Sequence, residues 1–293
     1  MIPPRTILAA IDFSDTSRAA LVLAARMARH CRSALHVVHV DHPLLDAAAS
    51  RAGIDLARET TDEMERFVAT ASPAGECAPQ LHVVTGAAVE AILAMGHQHA
   101  ADVIVVGGRG MSGAEKLFFG STTEGLLRRA SVSVLVVPSG WVAPRTASPD
   151  LTGMGPVVAG LDPSDASLAS VEAACALASA FGASVEVLHV VPHLAVLGRW
   201  RDQADAAVRD QMQSVRRELE PLIQQLVCQV PIQLRVEAGS VPDRLAEAAA
   251  PAPDRAPMIV LGKKAPGTAG GAPGTIAYRV LSVAHVPVLM HVS

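Results

Sequence analysis

Short apolar runs alternate along the chain with longer segments in which apolar residues recur at helical spacing. The run ILAAID, residues 7–12, is typical of a buried strand, and TSRAALVLAARMARHC, residues 16–31, has the period of a helix. The strand-like runs ALHVVHV, LHVV, DVIVV and VSVLVV follow, separated by helical segments, one of them from about Leu45 to Thr70. Nearly continuous valine and isoleucine runs indicate strands covered by helices on both faces. The pattern predicts an α/β, doubly wound, Rossmann-like domain with a five-stranded parallel sheet.

The second half of the chain repeats the first. The segment that starts at Thr6 aligns without a gap with the one that starts at Pro156, so that Asp12 corresponds to Asp162. Further on, DVIVVG corresponds to PMIVLG, and VSVLVVP to VPVLMHV. An internal duplication therefore predicts two tandem domains joined by a linker rich in Pro, Gly and Ser. The predicted domains are residues 1–140 and 155–293, and the predicted linker is residues 141–154.

Composition narrows the class of protein. Half of the 293 residues are hydrophobic and only 3% are aromatic, which indicates cores built from small and β-branched side chains. A formal charge of −4 argues against a general nucleic-acid binder, so partners are expected to be small molecules or proteins. The four cysteines form no C-x-x-C pair, and the first apolar run is too short for a signal or a membrane span. We expect a cytoplasmic protein that does not enter the membrane.

The stretch VIVVGGRGMSGAEKLFFGST, residues 103–122, can be read as either of two phosphate-binding loops. Gly108, Gly110 and Gly113 satisfy G-x-G-x-x-G, the motif of dinucleotide-binding folds. That motif also requires an acidic residue at the end of the next strand, and here the next strand ends in proline and serine. The loop follows the fourth strand of its unit rather than the first, so the sequence disfavours a nicotinamide site.

The second reading takes Gly107 and Gly110, then nine residues, then Gly120-Ser121. Glycines let backbone amides turn toward an anion, and Gly120-Ser121 places amides and a hydroxyl at a helix start, where the dipole favours phosphate. Ligands of open α/β sheets bind at the carboxyl ends of the strands. Asp12, which closes the first strand, is therefore the candidate acceptor for a ribose or base edge.

With strand-ending Asp12, this glycine loop and the terminal VLVVP, the chain resembles a tandem universal stress protein of the ATP-binding branch. The resemblance implies a strand order of 3-2-1-4-5 in each domain and ATP as the ligand, with Mg²⁺ bound through its phosphates. It also implies that the final strands of the two domains pair edge to edge, which makes the chain an intrachain pseudo-dimer, and two chains can associate further as a homodimer. By the same resemblance, Asp12 and Val40 contact the adenosine, and the ribose and phosphates are held by Gly107, Gly110, Gly120, Ser121 and Thr122.

The second half departs from this pattern at its own loop, GKKAPGTAGGAPGTIAYR. Ala265 stands where the second glycine is expected, and only eight residues separate it from Gly274-Thr275. Alanine tolerates a positive φ poorly, and a shorter loop moves the helix start. Two interpretations stay open: a second nucleotide site, or a structural copy with a mobile loop. The candidate binding residues retained here are Asp162, Val190, Gly262, Gly274 and Thr275.

Several histidines are possible metal ligands, but their positions in the sequence do not favour a metal site. His36 and His39 in HVVHVDH fall on opposite faces of a strand, so they cannot readily converge on one ion. His97 and His99 are expected to be solvated at a helix-to-strand junction, with no third ligand evident nearby. No metal site is therefore predicted, and no catalytic residue either, because G-x-S-x-G and the Walker motif are both missing.

The sequence is compatible with three functions. The first is an ATP-binding regulatory protein of the stress response, whose first domain holds the nucleotide between strands one and four. The second is a protein-interaction scaffold without nucleotide. The third is a slow ATPase or autophosphorylating protein with Ser121 or Thr122 as phosphate acceptor. An intact first loop favours the first function, and enzymatic activity is expected to be weak at most.

Overall fold

The computed structural model describes residues 3–71, 78–109, 119–142, 154–162, 165–193, 197–251, 256–263 and 274–292. The strands in these ranges are β1 (Thr6–Ala10), β2 (Ala34–Asp41), β3 (Gln80–Thr85), β4 (Val103–Gly107), β5 (Ser133–Val137), β6 (Met154–Gly160), β7 (Val185–Val191), β8 (Ile232–Ala238), β9 (Ala256–Lys263) and β10 (Val288–Val292). The helices are α1 (Asp15–Cys31), α2 (Pro43–Arg51), α3 (Leu56–Ala71), α4 (Ala88–Gln98), α5 (Ser121–Arg129), α6 (Asp165–Phe181), α7 (Arg201–Gln224), α8 (Val241–Ala248) and α9 (Thr275–Val283), with a short 3₁₀ helix at Gly198–Trp200.

The strands form a single sheet in the order β3-β2-β1-β4-β5-β10-β9-β6-β7-β8. Each half contributes five parallel strands in the order 3-2-1-4-5, which confirms the predicted doubly wound fold. The strand order reverses between β1 and β4 in the first half, and between β6 and β9 in the second. Open α/β sheets bind their ligands at such reversals, so each half has one position where a ligand is expected.

The two halves meet where β5 pairs with β10, antiparallel, with Leu135 directly opposite Leu289. These two leucines occupy duplicate positions, so a pseudo-twofold axis passes between them. The pairing covers an edge strand of each half, which leaves neither available for pairing with another chain. The intrachain association expected from the resemblance is thus present as a continuous sheet.

Helices cover both faces of this sheet. The core on one face takes buried residues from α1, α3, α6 and α7, and the core on the other face takes them from α4, α5, α8 and α9. Both cores run through the two halves without interruption at the joint. Representative members of the first core are Leu21, Phe67, Leu135, Val171, Leu219 and Leu289.

One predicted element is wrong. The helix expected from about Leu45 to Thr70 is two helices, α2 and α3. Gly53 lies between them with φ +70°, a left-handed conformation that ends the first helix. Asp55 then accepts a hydrogen bond from the Arg58 amide at 3.1 Å, so its side chain starts the second helix.

Two segments singled out in the sequence lie wholly or partly outside the described residues. Of the predicted linker, 141–154, residues 143–153 lie outside the described residues, and so does the altered loop of the second half, 264–273.

Among the helices that the structure describes, none combines the length and apolar character needed to cross a bilayer.

The joint between the halves is asymmetric. Lys263 is buried at the end of β9, and its Nζ donates to the Ala130 carbonyl at the end of α5, 3.1 Å away. Burial lowers the pKa of this ammonium. The duplicate of Lys263 is Gly108, and beside it a cavity of about 230 Å³ opens against Leu281 and Ala284 near the end of α9. A lysine side chain thus ties the second half to α5, while the corresponding glycine leaves space.

The joint also predicts a pH dependence of stability. His291 on β10 lies beside Ser133, with Nδ1 3.0 Å from Oγ, and burial lowers its pKa from 6.5 to about 4. Between these two pH values the unfolded chain binds a proton that the folded chain does not, so the free energy of unfolding falls as the pH falls. The full shift corresponds to about 3 kcal/mol, and solvent screening of this partly exposed ring makes the loss smaller.

Replacing His291 by valine, the residue at the duplicate position Val137, removes this titration. Urea unfolding of both proteins at pH 7 and pH 4.5 should show a clearly smaller loss of stability for His291→Val. An equal loss in the two proteins would show that other groups carry the acid sensitivity.

Candidate functional site

A cavity of about 290 Å³ lies at the carboxyl ends of β1 and β4, between α4 and α5. This is the reversal of strand order in the first half. Six of the seven residues predicted to hold a nucleotide there line this cavity, and the seventh, Gly110, lies outside the described residues. The six are Asp12, Val40, Gly107, Gly120, Ser121 and Thr122.

One side of the cavity is apolar. Ala10, Val38 and Val40 present a sheet face, and Ile92 of α4 and Val106 of β4 complete the surface. Side chains at alternate strand positions share a face, which is why the valines of β2 line up here. A flat, largely apolar ring system fits such a wall, and pockets for small molecules commonly combine this kind of surface with a few polar groups.

Asp12 is the polar group at the end of β1. Its Oδ1 accepts hydrogen bonds from the Ser14 amide at 3.1 Å and from the Ser14 hydroxyl at 2.5 Å. Ser14 also serves as the N-cap of α1, accepting from the Ser17 amide at 3.2 Å. Ser14 thus caps the helix, and the same serine holds the Asp12 carboxylate at the cavity that Asp12 lines.

The residue between them, Phe13, adopts φ +62°, a left-handed conformation that is uncommon for an aromatic residue. Its ring packs on His39, with centroids 4.5 Å apart, and meets Phe67 edge-on at 5.5 Å. Such backbone strain persists only where surrounding contacts hold it, and it concentrates at functional sites. The duplicate position is Pro163, which lies outside the described residues.

His39 lines the cavity but has a structural partner. Its Nδ1 lies 2.9 Å from the Ile11 carbonyl, and in the second half His189 Nδ1 lies 2.8 Å from the corresponding Leu161 carbonyl. The Nε2 atom of His39 lies 3.5 Å from the buried Asp41 carboxylate. A hydrogen bond that recurs in both halves indicates that these histidines fasten the second strand of each half to the end of the first.

The polar end of the cavity is the start of α5. Gly120 is its N-cap and makes no side-chain capping bond, so the amides of the first turn face the cavity beside Ser121. The buried Thr123 hydroxyl donates to the Gly107 carbonyl at 2.8 Å and holds this helix start against β4. On the other side, the Thr16 hydroxyl of α1 donates to the carbonyl of Arg109. A helix start with exposed amides and a positive dipole end favours an anion.

Sequence reasoning missed the two threonines that position this end and the contribution of α4. Neither Thr16 nor Thr123 belongs to the glycine pattern, although the position of Thr123, directly after Ser121 and Thr122, was a usable signal. Ala88 and Ile92 line the cavity because the first turns of α4 pass over the end of β2. Helical periodicity indicates that α4 has a buried face without indicating which cavity that face meets.

The second half has a different interior at the equivalent place. A Cβ added at Gly160, the duplicate of Ala10, would lie 2.7 Å from Leu261 Cδ2 and 3.4 Å from Leu245 Cδ1. Leu261 stands where the first half has Val106, and both leucines are buried with Val190 in one apolar cluster. The space above this strand is therefore occupied by leucine side chains.

The remaining candidates of the second half lie around this filled interior. Asp162 is exposed at the end of β6, and Gly262 is half-buried near the end of β9. Gly274 and Thr275 are exposed at the start of α9, and no atom of the described residues lies within 4 Å of a Cβ added at Gly274. Polar positions are retained, whereas the apolar recess between them is reduced.

Comparison with known proteins agrees with the duplication. The Universal stress protein family matches the chain twice, at residues 4–138 and 154–291. A relative from Thermus aquaticus, described as a universal stress protein in the QAH/OAS sulfhydrylase 3′ region, is 30% identical over 134 residues, which cover 45% of this chain and 98% of the relative.

A solved structure gives the same picture of the fold. A universal stress protein from Archaeoglobus fulgidus superposes with a TM-score of 0.62 at 14% identity, covering 99% of this chain and 96% of its own. A universal stress protein solved in complex with cAMP aligns with 46% of this chain and 98% of its own, at 25% identity and a TM-score of 0.35. The first of these likenesses extends the shared fold over the full length of the chain.

Proposed function

The chain belongs to the universal stress protein family, with one family domain in each half, and on that premise we propose that its first half binds ATP as a regulatory ligand. The observation that carries the proposal is the convergence of six predicted residues on one cavity at the reversal of strand order. Each part of the nucleotide has a chemically suitable counterpart in that cavity.

The adenine ring is assigned to the apolar wall. Val38 and Val40 from β2 and Ile92 from α4 offer a surface without charge, and Val40 lies at the strand end nearest the cavity mouth. Removing a purine from water against such side chains is favourable in proportion to the apolar area buried. His39 lines the cavity beside this wall, and the Phe13 ring packs on His39.

The ribose is assigned to Asp12. A carboxylate is an acceptor for the hydroxyls of a sugar, and the two hydrogen bonds from Ser14 fix its orientation. Its exact position depends on Phe13, whose positive φ turns the chain between Asp12 and the start of α1. The strained turn thus belongs to the binding site rather than to an ordinary helix cap.

The phosphates are assigned to the first turn of α5. The amides after Gly120 and the hydroxyls of Ser121 and Thr122 supply donors, and the helix dipole adds a favourable field. Mg²⁺ would be carried by the phosphates themselves, as is usual for this ion with nucleotides. Gly107 and Gly110 belong to the same phosphate-binding group by the family pattern.

A route from occupancy to a regulatory output runs along α5. Its first turn meets the phosphates in this proposal, and the carbonyl at its other end accepts the buried Lys263 ammonium of the second half. The second half then acts mainly as the partner domain, because Leu245 and Leu261 fill the recess above Gly160. The candidate residues of the second half, Asp162, Val190, Gly262, Gly274 and Thr275, are therefore not part of the proposed ATP site.

A charge at the helix start tests the phosphate assignment. Ser121→Asp places a carboxylate where the phosphates are proposed to lie, while a negative charge at a helix N-terminus stabilises the helix itself. We expect calorimetric titration of nucleotide-free protein with ATP and Mg²⁺ to give one site per chain, weakened at least about tenfold in Ser121→Asp. Adenosine should bind both proteins to within about twofold, since it carries no phosphate.

The matched control is Thr275→Asp, the same change at the start of α9, on an equally exposed residue. It should leave ATP binding unchanged. Equal ATP affinity in Ser121→Asp and the parent would refute the phosphate assignment, and a wild-type chain that binds no ATP would refute the proposed function in favour of an interaction scaffold. Two sites per chain, one of them lost in Thr275→Asp, would contradict the partner role of the second half.

A further inference from the structure

Three histidines from separate elements converge at the opposite end of the sheet from the nucleotide cavity. His36 lies near the start of β2, His82 lies on β3, and His99 follows α4. One ring nitrogen from each lies within 4.8 Å of the other two, and His36 Nδ1 is 3.0 Å from His82 Nε2. The three ring centroids are 4.2 to 5.2 Å apart.

The fold explains why they meet. His36 points to the face of the sheet that carries α4, and His82 is paired with Val38, the next residue of β2 on that face. The helix α4 crosses this face and ends above the start of β2, which brings His99 over the pair. His36 and His39 do fall on opposite faces, as the sequence predicts. The ligands that His36 meets come from β3 and from the end of α4.

The expectation that His97 and His99 are solvated holds for only one of them. His97 is exposed, whereas His99 is partly buried and its Nε2 atom is fully enclosed. Among the residues that the structure describes, this nitrogen has no hydrogen-bond partner. A buried polar nitrogen without a partner costs free energy, so a bound group that uses its lone pair or its proton would be favoured.

Two of the three rings have a lowered pKa. Burial lowers the pKa of His36 and His82, and the neighbouring histidines lower it further. The neutral form of an imidazole is the one that binds metal ions. Around a tetrahedral zinc ion with Zn–N bonds of about 2.0–2.1 Å, ligand nitrogens stand roughly 3.3 Å apart, a spacing within the range seen here.

We propose that His36, His82 and His99 form a binding site for one divalent transition-metal ion of the zinc and cobalt class. Imidazole nitrogen suits these ions, whereas Mg²⁺ requires oxygen ligands, so the site is distinct from any Mg²⁺ carried by a nucleotide. Three protein ligands leave a fourth position for water or another small ligand. The ion would tie the end of α4 to the first half's outer strands β2 and β3.

The second half has a different pair of side chains at the positions that correspond to His36 and His82. At the positions of His36 and His82 it has Glu186 and Arg235, whose Oε2 and Nη1 atoms form an ion pair of 2.7 Å. Opposite charges pair directly across the two strands, and Arg235 also pairs with Glu237 on its own strand. Two neutral histidines share one hydrogen bond, in which one ring donates and the other accepts. This bond leaves the Nε2 atom of His99 without a hydrogen-bond partner in the described part of the chain, whereas a metal ion would bind all three rings.

The test uses the full chain, freed of metal by chelation and without nucleotide. Titration with Co²⁺, followed by its visible absorption, should reach saturation at one ion per chain, and Zn²⁺ should displace the Co²⁺ while excess Mg²⁺ should not. His99→Asn should weaken Co²⁺ binding at least about tenfold, because it removes one of three ligands. The matched control is His97→Asn, an exposed histidine at the end of the same helix, which should bind Co²⁺ as the parent does.

A second variant tests whether weaker Co²⁺ binding arises from lost ligands or from loss of folding. His36→Glu with His82→Arg introduces the ion pair that the second half already accommodates, so it should keep the parent's circular dichroism and still weaken Co²⁺ binding at least about tenfold. A parent chain that shows no saturable Co²⁺ binding would overturn the proposal. So would a His99→Asn protein that binds Co²⁺ as tightly as the parent. ATP affinity plays no part in either result, so failure here leaves the proposed nucleotide site untouched.

Discussion

Replacing Gly107 by alanine should weaken ATP binding at least about tenfold and lower the free energy of unfolding by about 1–3 kcal/mol. A Cβ at this position would lie 2.9 Å from the backbone carbonyl carbon of Thr16 and 3.0 Å from the amide nitrogen of Ser17. Backbone atoms cannot move aside as a flexible side chain can. The start of α1 would have to shift away from β4, and the turn that carries Asp12 would shift with it.

Calorimetric titration with ATP and Mg²⁺ and urea unfolding measure the two effects separately, provided that binding is measured where the variant is fully folded. The control is Gly274→Ala in the second half, where an added Cβ meets no atom within 4 Å in the part of the chain that the structure describes. It should cost less than about 1 kcal/mol, since only the preference for glycine over alanine at a helix N-cap is lost. A Gly107→Ala protein that binds ATP like the parent would show that close contact between β4 and α1 does not shape the site.

The contact at Gly107 shows which features of the candidate site the sequence predicts and which it does not. Glycine spacing predicts that the backbone after β4 turns its amides toward an anion, and the position of Asp12 at a strand end predicts an acceptor for a ribose or base edge. Both predictions depend on local chemistry and on the known geometry of parallel sheets. The partner of Gly107 could not be predicted, because the approach of α1 depends on how the helix packs across the sheet.

Differences between the two halves were harder to predict than their likeness. The altered loop of the second half drew attention to Ala265, yet the described structure differs most inside the recess, where Leu261 replaces Val106 and glycine replaces Ala10. Valine and leucine are equally acceptable in a buried strand, so the pattern of apolar positions does not distinguish an open recess from a filled one. Only the packing of Leu245 and Leu261 above Gly160 reveals it.

The histidine cluster was missed for a related reason. His36, His82 and His99 are far apart in sequence, and a spacing rule for metal ligands applies only to ligands within one local motif. Strand parity correctly separates His36 from His39, but it does not indicate that α4 ends above β2. Long-range convergence of this kind requires the strand order and the helix path together.

At the joint between the halves, Leu289→Ala should lower the free energy of unfolding by about 2–5 kcal/mol, the range for removing a buried leucine side chain. Leu289 is 3% exposed and lies directly opposite Leu135, which is fully buried, in the antiparallel pairing of β5 with β10. Both belong to the core that continues from α1 into α6. Because this core has no break at the joint, the loss should appear in a single unfolding transition of the whole chain.

Urea unfolding can be followed by circular dichroism and by tryptophan fluorescence, since Trp141 is buried in the same core. The two signals should coincide in the parent and in Leu289→Ala. Leu135→Ala should have a similar cost, and the double variant should lose less than the sum of the two, by at least about 0.5 kcal/mol, because the side chains share one contact. Val227→Ala, on a side chain that is 93% exposed, should change the stability by less than about 0.5 kcal/mol. Separate transitions for the two signals, or a strictly additive double variant, would mean that the halves are stable independently and that the shared sheet joins two domains without coupling their folding.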